Sequence, residues 1–261
     1  MSDADQSLTE KRVYGDRDAT TTVVVASDVG LAQVSISGDT VGEFSLEHRG
    51  STTAVATDGD RLAVGTPTDV LVGTEDGFEA TGFGSAVATV GYHDGLVAAV
   101  AGRIARYDGD WRTLSELDSP ARIDGGMVAA GSGIHRLDGT HLGLDGATDV
   151  SSAGVPLAAT DVGLYYLANG WMRAVEGAFS MVASDGERAH AATEAAFYER
   201  SADGAWRRVE LPVDEPVVDV AYGPGVYAVT ADGTVLANAG DGWRHRSIGL
   251  TGVSGIAVRG T

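Results

Sequence analysis

All four tryptophans of this chain fall at one place in a recurring turn, where glycine adjoins Asp or Asn and an aromatic side chain follows within two residues. The turn appears as Asp76-Gly77-Phe78, Gly109-Asp110-Trp111, Asn169-Gly170-Trp171, Asp203-Gly204-Ala205-Trp206 and Asp241-Gly242-Trp243. With Phe44 and His141 as degenerate members, the landmarks stand at 44, 78, 111, 141, 171, 206 and 243, spaced by 34, 33, 30, 30, 35 and 37 residues. Seven units of this period signal a stacked or radial array.

Within a unit, short apolar runs alternate with turn residues, and no 12-residue stretch keeps helical spacing. The second unit resolves into strands at 52–56, 61–65, 69–73 and 78–83, the third at 87–91, 96–100, 103–107 and 111–117, and the seventh at 217–221, 226–230, 235–238 and 243–248. Four short antiparallel strands per unit are the blade of a β-propeller. Helical repeats of similar period are excluded by the missing helical periodicity, and leucine-rich repeats by the missing leucine spacing.

The first unit has only three strands, 21–26, 31–36 and 42–46, while one strand, Val253 to Arg259, is left over after the seventh. The surplus strand fits the vacancy, and such closure removes two exposed sheet edges. The expected fold is therefore all-β: a seven-bladed propeller over 20–261, closed by the C-terminal strand completing the first blade, with a polar tail over 1–19. Because the landmark aromatics Phe78, Trp111, Trp171, Trp206 and Trp243 recur by symmetry rather than converge, they are expected between blades and not on a ligand.

The 37 glycines in 261 residues fit the many tight turns of this plan. The 37 acidic residues face 18 basic ones, and Lys11 is the only lysine, giving a net charge of -19. This balance excludes nucleic-acid binding through a basic patch. Acid spread along the whole chain reads as a surface adapted to high salt, with a receptor for something cationic as the alternative. There is no cysteine, hence no disulfide or thiolate site, and no apolar run approaches membrane-spanning length; a soluble cytoplasmic protein is expected.

The landmark turns resemble the Asp-box repeats of sialidase-like propellers, most nearly at Ser201-Ala202-Asp203-Gly204-Ala205-Trp206, although shorter than the full motif. Over nearly its full length, including Lys11-Arg12-Val13-Tyr14-Gly15-Asp16 and the run Thr22 to Leu31, the chain looks like a family of haloarchaeal β-propeller proteins. That resemblance implies the fold and a salt-rich setting, and it brings no activity with it.

Propeller ligands are expected over the channel, at the face carrying the loops between second and third strands. Those turns pair hydroxyls with acids and supply Asp28, Asp69, Asp161, Glu194 and Asp232 as a partial acidic ring. Such carboxylates are hard oxygen ligands for a cation; the competing reading is that they fix tight turns through side-chain to backbone bonds. His135, Arg136 and His141 form the densest polar cluster, in the blade whose landmark aromatic is replaced. No zinc-binding spacing, phosphate loop or dinucleotide fingerprint occurs, so no metal and no cofactor are expected. The leading expectation is a non-catalytic interaction platform for a protein or a small polar ligand, with no nucleic acid and no membrane as partner. The alternative is a hydrolase or lyase acting on a polar, carbohydrate-like substrate at the channel mouth; Arg49, Arg122 and Arg244 converging with acids in one pocket would favour it.

Overall fold

A computed structural model describes residues 20–260, in which the chain forms seven four-stranded antiparallel sheets and no helix. The expected tail over 1–19 lies outside the described residues. No helix among them is long and apolar enough to cross a membrane.

The innermost strands of blades 1 to 7 are Gly255–Val258, Ala54–Asp58, Thr89–Tyr92, Pro120–Asp124, Ala147–Ser151, Met181–Ser184 and Val217–Tyr222. Each packs against the next, and the series returns from blade 7 through Gly255–Val258 to blade 2. The closing strand pairs with Thr20–Ala26 in the register Val23 with Val258 and Ala26 with Gly255, as the count of strands required. Its neighbours hold it as well. Ser254 Oγ donates to Thr52 O at 3.0 Å, Thr57 Oγ1 to Val258 O at 2.8 Å, and Arg259 Nη1 reaches Glu47 Oε1 at 2.7 Å.

The second strand of each blade reads as a continuous small-apolar run, such as Leu96–Val100 (LVAAV) or Val226–Thr230 (VYAVT), because both its faces are covered by adjacent blades. A strand buried on both faces loses the alternation seen in half-exposed sheets. Outer strands keep it weakly; Trp171–Glu176 is mostly exposed. The core is accordingly divided into seven clusters, one per blade interface. The largest joins blades 7 and 1 through Val23, Val25, Tyr227, Val229 and Ile256.

Three outer strands end earlier than expected. The fourth strands stop at Ala80, Ser115 and Ser247 rather than at 83, 117 and 248, because Phe83, Leu117 and Ile248 turn inward and are 5%, 7% and 5% exposed. Burying one large apolar side chain contributes roughly 1.5–3 kcal/mol, more than the ladder bonds surrendered by leaving a sheet edge. In blade 2 the inner strand begins at Ala54; Thr53 N still donates to Gly65 O at 2.8 Å, while its Oγ1 donates to Val87 O at 2.7 Å across to blade 3.

The landmark turns are as the repeat implied. Gly77, Gly109, Gly170, Gly204 and Gly242 all have φ between 80° and 137°, a region that a Cβ disfavours. Each aromatic then packs on the preceding blade. Trp111 Nε1 donates to Thr81 Oγ1 at 3.1 Å, Trp171 Nε1 to Leu142 O at 3.0 Å, and Trp243 meets Phe197 edge-on at 5.7 Å. Phe78 lies edge-on to His48 at 5.5 Å, and Trp206 packs against the cluster of Leu157 and Phe179.

Candidate functional site

Inside the channel, Arg122, Asp149 and Asp219 converge from blades 4, 5 and 7. Each follows a register shift in its inner strand, between Pro120 and Arg122, Ala147 and Asp149, and Val217 and Asp219. A bulge re-aims the side chain that follows it, so three equivalent irregularities bring three charges together. Arg122 Nη2 donates to Asp219 Oδ1 at 2.7 Å, and Arg122 Nε stands 3.7 Å from Asp149 Oδ1. The two carboxylates are 2% and 7% exposed, and the guanidinium is 33% exposed toward the channel.

The carboxylates also bind the ring together. Asp219 accepts from Val220 N at 2.9 Å in its own strand and from Ile256 N at 3.1 Å in the closing strand. Asp149 accepts from Val150 N at 2.8 Å and from Val182 N at 2.9 Å in blade 6. Three side chains therefore tie five successive blades, 4 to 7 and 1, at one level of the channel. Buried charges persist only when paired and hydrogen-bonded in this way.

Burial pushes the Asp149 carboxyl up to about 7, against the opposing pull of Arg122 and the Val182 amide. The Arg122 guanidinium is held firmly protonated, chiefly by Asp219. A carboxyl raised in the folded state keeps its proton where the unfolded chain, near 3.9, has lost it, so its contribution to stability falls as pH rises from about 4 through about 7. Asp149→Asn is expected to flatten that slope in urea unfolding curves taken at pH 5, 6, 7 and 8; an unchanged slope would remove Asp149 as its source.

Next to this group a cavity of about 220 Å³ occupies the channel, lined by Thr57, Tyr92, Asp124, Ser151, Ser184 and Tyr222 with Arg122. These residues lie toward the ends of the inner strands, so the cavity is nearer the turns joining first to second strands. The face expected to carry a ligand is the opposite one.

Bonded to the lining residue Tyr222, His190 is buried at 2% exposure, stacked on Phe197 at 5.3 Å, with Nδ1 2.9 Å from the Tyr222 hydroxyl. Tyr222 donates to Ala183 O at 2.9 Å, which makes His190 Nδ1 the donor to Tyr222. Burial, helped by Arg188, lowers the His190 pKa to about 4. The unfolded chain takes up this proton first, near 6.5, so stability is lost as pH falls from about 6.5 to about 4. His190→Gln should abolish that part of the acid sensitivity in thermal melts; equal loss in both proteins would show that other groups cause it.

The acidic residues anticipated from the sequence are distributed. Asp161 and Glu194 line one open depression of about 510 Å³ with Phe179 and Val217. Asp69 fixes its own corner, accepting from Val70 N and Phe83 N, both at 2.8 Å. Asp28 accepts from Ser51 Oγ at 3.4 Å, and Asp232 sits exposed in the last second-to-third turn. Among the described residues no three His, Cys, Asp or Glu side chains form a group able to hold a metal ion.

His135 and His141 do come together, with rings 4.9 Å apart; Ser132 Oγ lies 3.0 Å from His135 Nε2, and Arg136 is exposed beside them. Arg49, Arg122 and Arg244 do not converge. Arg49 ends the outer strand of blade 1, and Arg244 pairs with Asp39 at 2.6 Å on the rim.

Similar folds occur among solved structures. The extracellular domain of a putative hybrid two-component system, BT4673 from B. thetaiotaomicron, matches with TM-score 0.63 at 10% identity, covering 78% of this chain and 35% of that one. This chain thus spans about a third of that structure's length. The WD40 propeller domain of Doa1 matches with TM-score 0.61 at 12% identity, covering 91% and 90%. A putative 6-phosphogluconolactonase, BF1038 from Bacteroides fragilis, matches with TM-score 0.61 at 12% identity, covering 94% and 99%. At these identities the likeness is one of fold. No curated protein matches the sequence. A family model described as HVO_0234-like beta propeller matches residues 7–259 and bears out the resemblance to a propeller family, without bearing on the Asp-box likeness; the chain belongs to that family.

Proposed function

We propose that this protein is a non-catalytic binding propeller, an interaction platform working in a salt-rich cytoplasm. The observation that carries the reading is the use made of the channel charges. Both oxygens of Asp149 and both of Asp219 accept backbone amides from two blades. A carboxylate committed to two such bonds, one on each oxygen, and to an arginine is poorly placed to move a proton for a substrate, which needs a free lone pair within reach. The net charge of -19, with a single lysine, supports the salt-rich setting.

A hydrolase or lyase at the channel mouth is the second reading, and Asp149 favours it, since a carboxyl near 7 is suited to acid–base work. The two readings separate in one assay. The purified protein in concentrated potassium chloride is tested on chromogenic glycosides, esters and lactones. The platform reading expects no turnover above the protein-free rate; turnover that Asp149→Asn abolishes would overturn it.

A further inference from the structure

Between blades 2 and 3, away from the channel group, lies a cavity of about 560 Å³ lined by Arg61, Arg106 and Arg112. Its size is within the range of small-molecule sites. Arg106 and Arg112 stand directly opposite each other across the two outer strands of blade 3. Like charges facing across a ladder are destabilising unless something compensates them.

Nothing in the described chain does so. None of the ten ion pairs among the described residues includes Arg106 or Arg112, although acids outnumber bases 37 to 18 in the sequence. Arg106 Nε is shielded from water and has no acceptor. A buried donor left unbonded is unusual enough to call for a partner. Two acids also line the cavity, Asp94, which is 82% exposed and stands 3.9 Å from His93 Nε2, and Asp108, exposed on its turn, and neither forms an ion pair with Arg106 or Arg112.

The rest of the lining is apolar and aromatic. Leu62, Leu96 and Leu114 line the cavity, and Tyr92 contributes a ring over which Arg61 lies at 5.2 Å. Arg61 itself is paired with Asp58, so its charge is already met. The two uncompensated arginines thus adjoin a surface that takes no charge.

We propose that this cavity binds a small molecule with a carboxylate or phosphate head on Arg106 and Arg112 and an apolar or aromatic body against Leu62, Leu96 and Leu114. A planar guanidinium pair matches the oxygens of either head bidentately. The site shares the Tyr92 wall with the channel cavity but opens between blades 2 and 3, and it goes beyond the platform reading, since it names a ligand class.

Calorimetric titration at constant ionic strength tests it, with phenyl phosphate, benzoate, inorganic phosphate and benzyl alcohol as probes. Phenyl phosphate or benzoate is expected to saturate with Kd below about 1 mM. Arg112→Gln, at an exposed position, should weaken binding about tenfold or more, as loss of a charge-assisted bond implies, at a melting temperature no lower than that of the unsubstituted protein, since it also relieves the facing charges. Arg208→Gln, on blade 6, should leave it unchanged. The head group is read from which of the two anions binds more tightly. Failure of both to saturate, equal affinity in Arg112→Gln, or benzyl alcohol binding as well as the anions would overturn the proposal. Inorganic phosphate matching phenyl phosphate would overturn the apolar half of it.

Discussion

A chain ending at Gly252 is expected to lose its cooperative thermal transition and to associate. Without the closing strand, Thr20–Ala26 presents a bare edge, and unpaired edges invite association. The largest core cluster also opens, because Ile256, Val253 and Val258 are the pieces that seal blade 7 onto blade 1. Asp219 loses its bond to Ile256 N, and Glu47 loses Arg259. Near-ultraviolet circular dichroism and gel filtration read the outcome. A peptide of residues 251–261 added in trans should recover part of the native signal; a truncated chain that melts like the full one would show that the ring is not closed there.

Asp219→Ala should be the most damaging single substitution in the channel, at about 3–5 kcal/mol. It strips Arg122 of its 2.7 Å partner and leaves the amides of Val220 and Ile256 without an acceptor. A loss of that size lowers the melting temperature by roughly 6–10 °C in a chain of this length. Thr57→Val, which removes one hydroxyl bond to Val258 O, should cost only about 1 kcal/mol. Comparable effects for the two substitutions, measured by urea unfolding, would mean that the channel charges carry no special share of the closure.

The architecture was legible because it repeats. Trp111, Trp171, Trp206 and Trp243 mark equivalent turns, and the strand count left Val253 to Arg259 with one place to go. Outer-strand ends were less so, since a sheet ladder and an inward anchor such as Phe83 or Leu117 have the same apolar signature in sequence. The channel group was not legible from repeat symmetry, because Arg122, Asp149 and Asp219 occupy only three of seven equivalent places and depend on bulges no composition reveals. A faint signal was present in Thr148-Asp149-Val150 and Val218-Asp219-Val220, where an acid interrupts an otherwise apolar inner strand. The cavity of blades 2 and 3 was hidden for another reason. Arg61 and Arg106 are 45 positions apart in an acid-rich chain, and only the cross-strand register sets Arg106 against Arg112.

Arg122 and Asp219 act as one structural unit that locks the ring. A double-mutant cycle of Arg122→Met and Asp219→Asn, followed by urea unfolding, measures that directly. The expected coupling lies near the upper end of the range for neighbouring residues, about 2–3 kcal/mol, with the double variant more stable than the single losses would give if they simply added. Additivity within about 0.5 kcal/mol would contradict it, and would leave the charges in the channel free for another role.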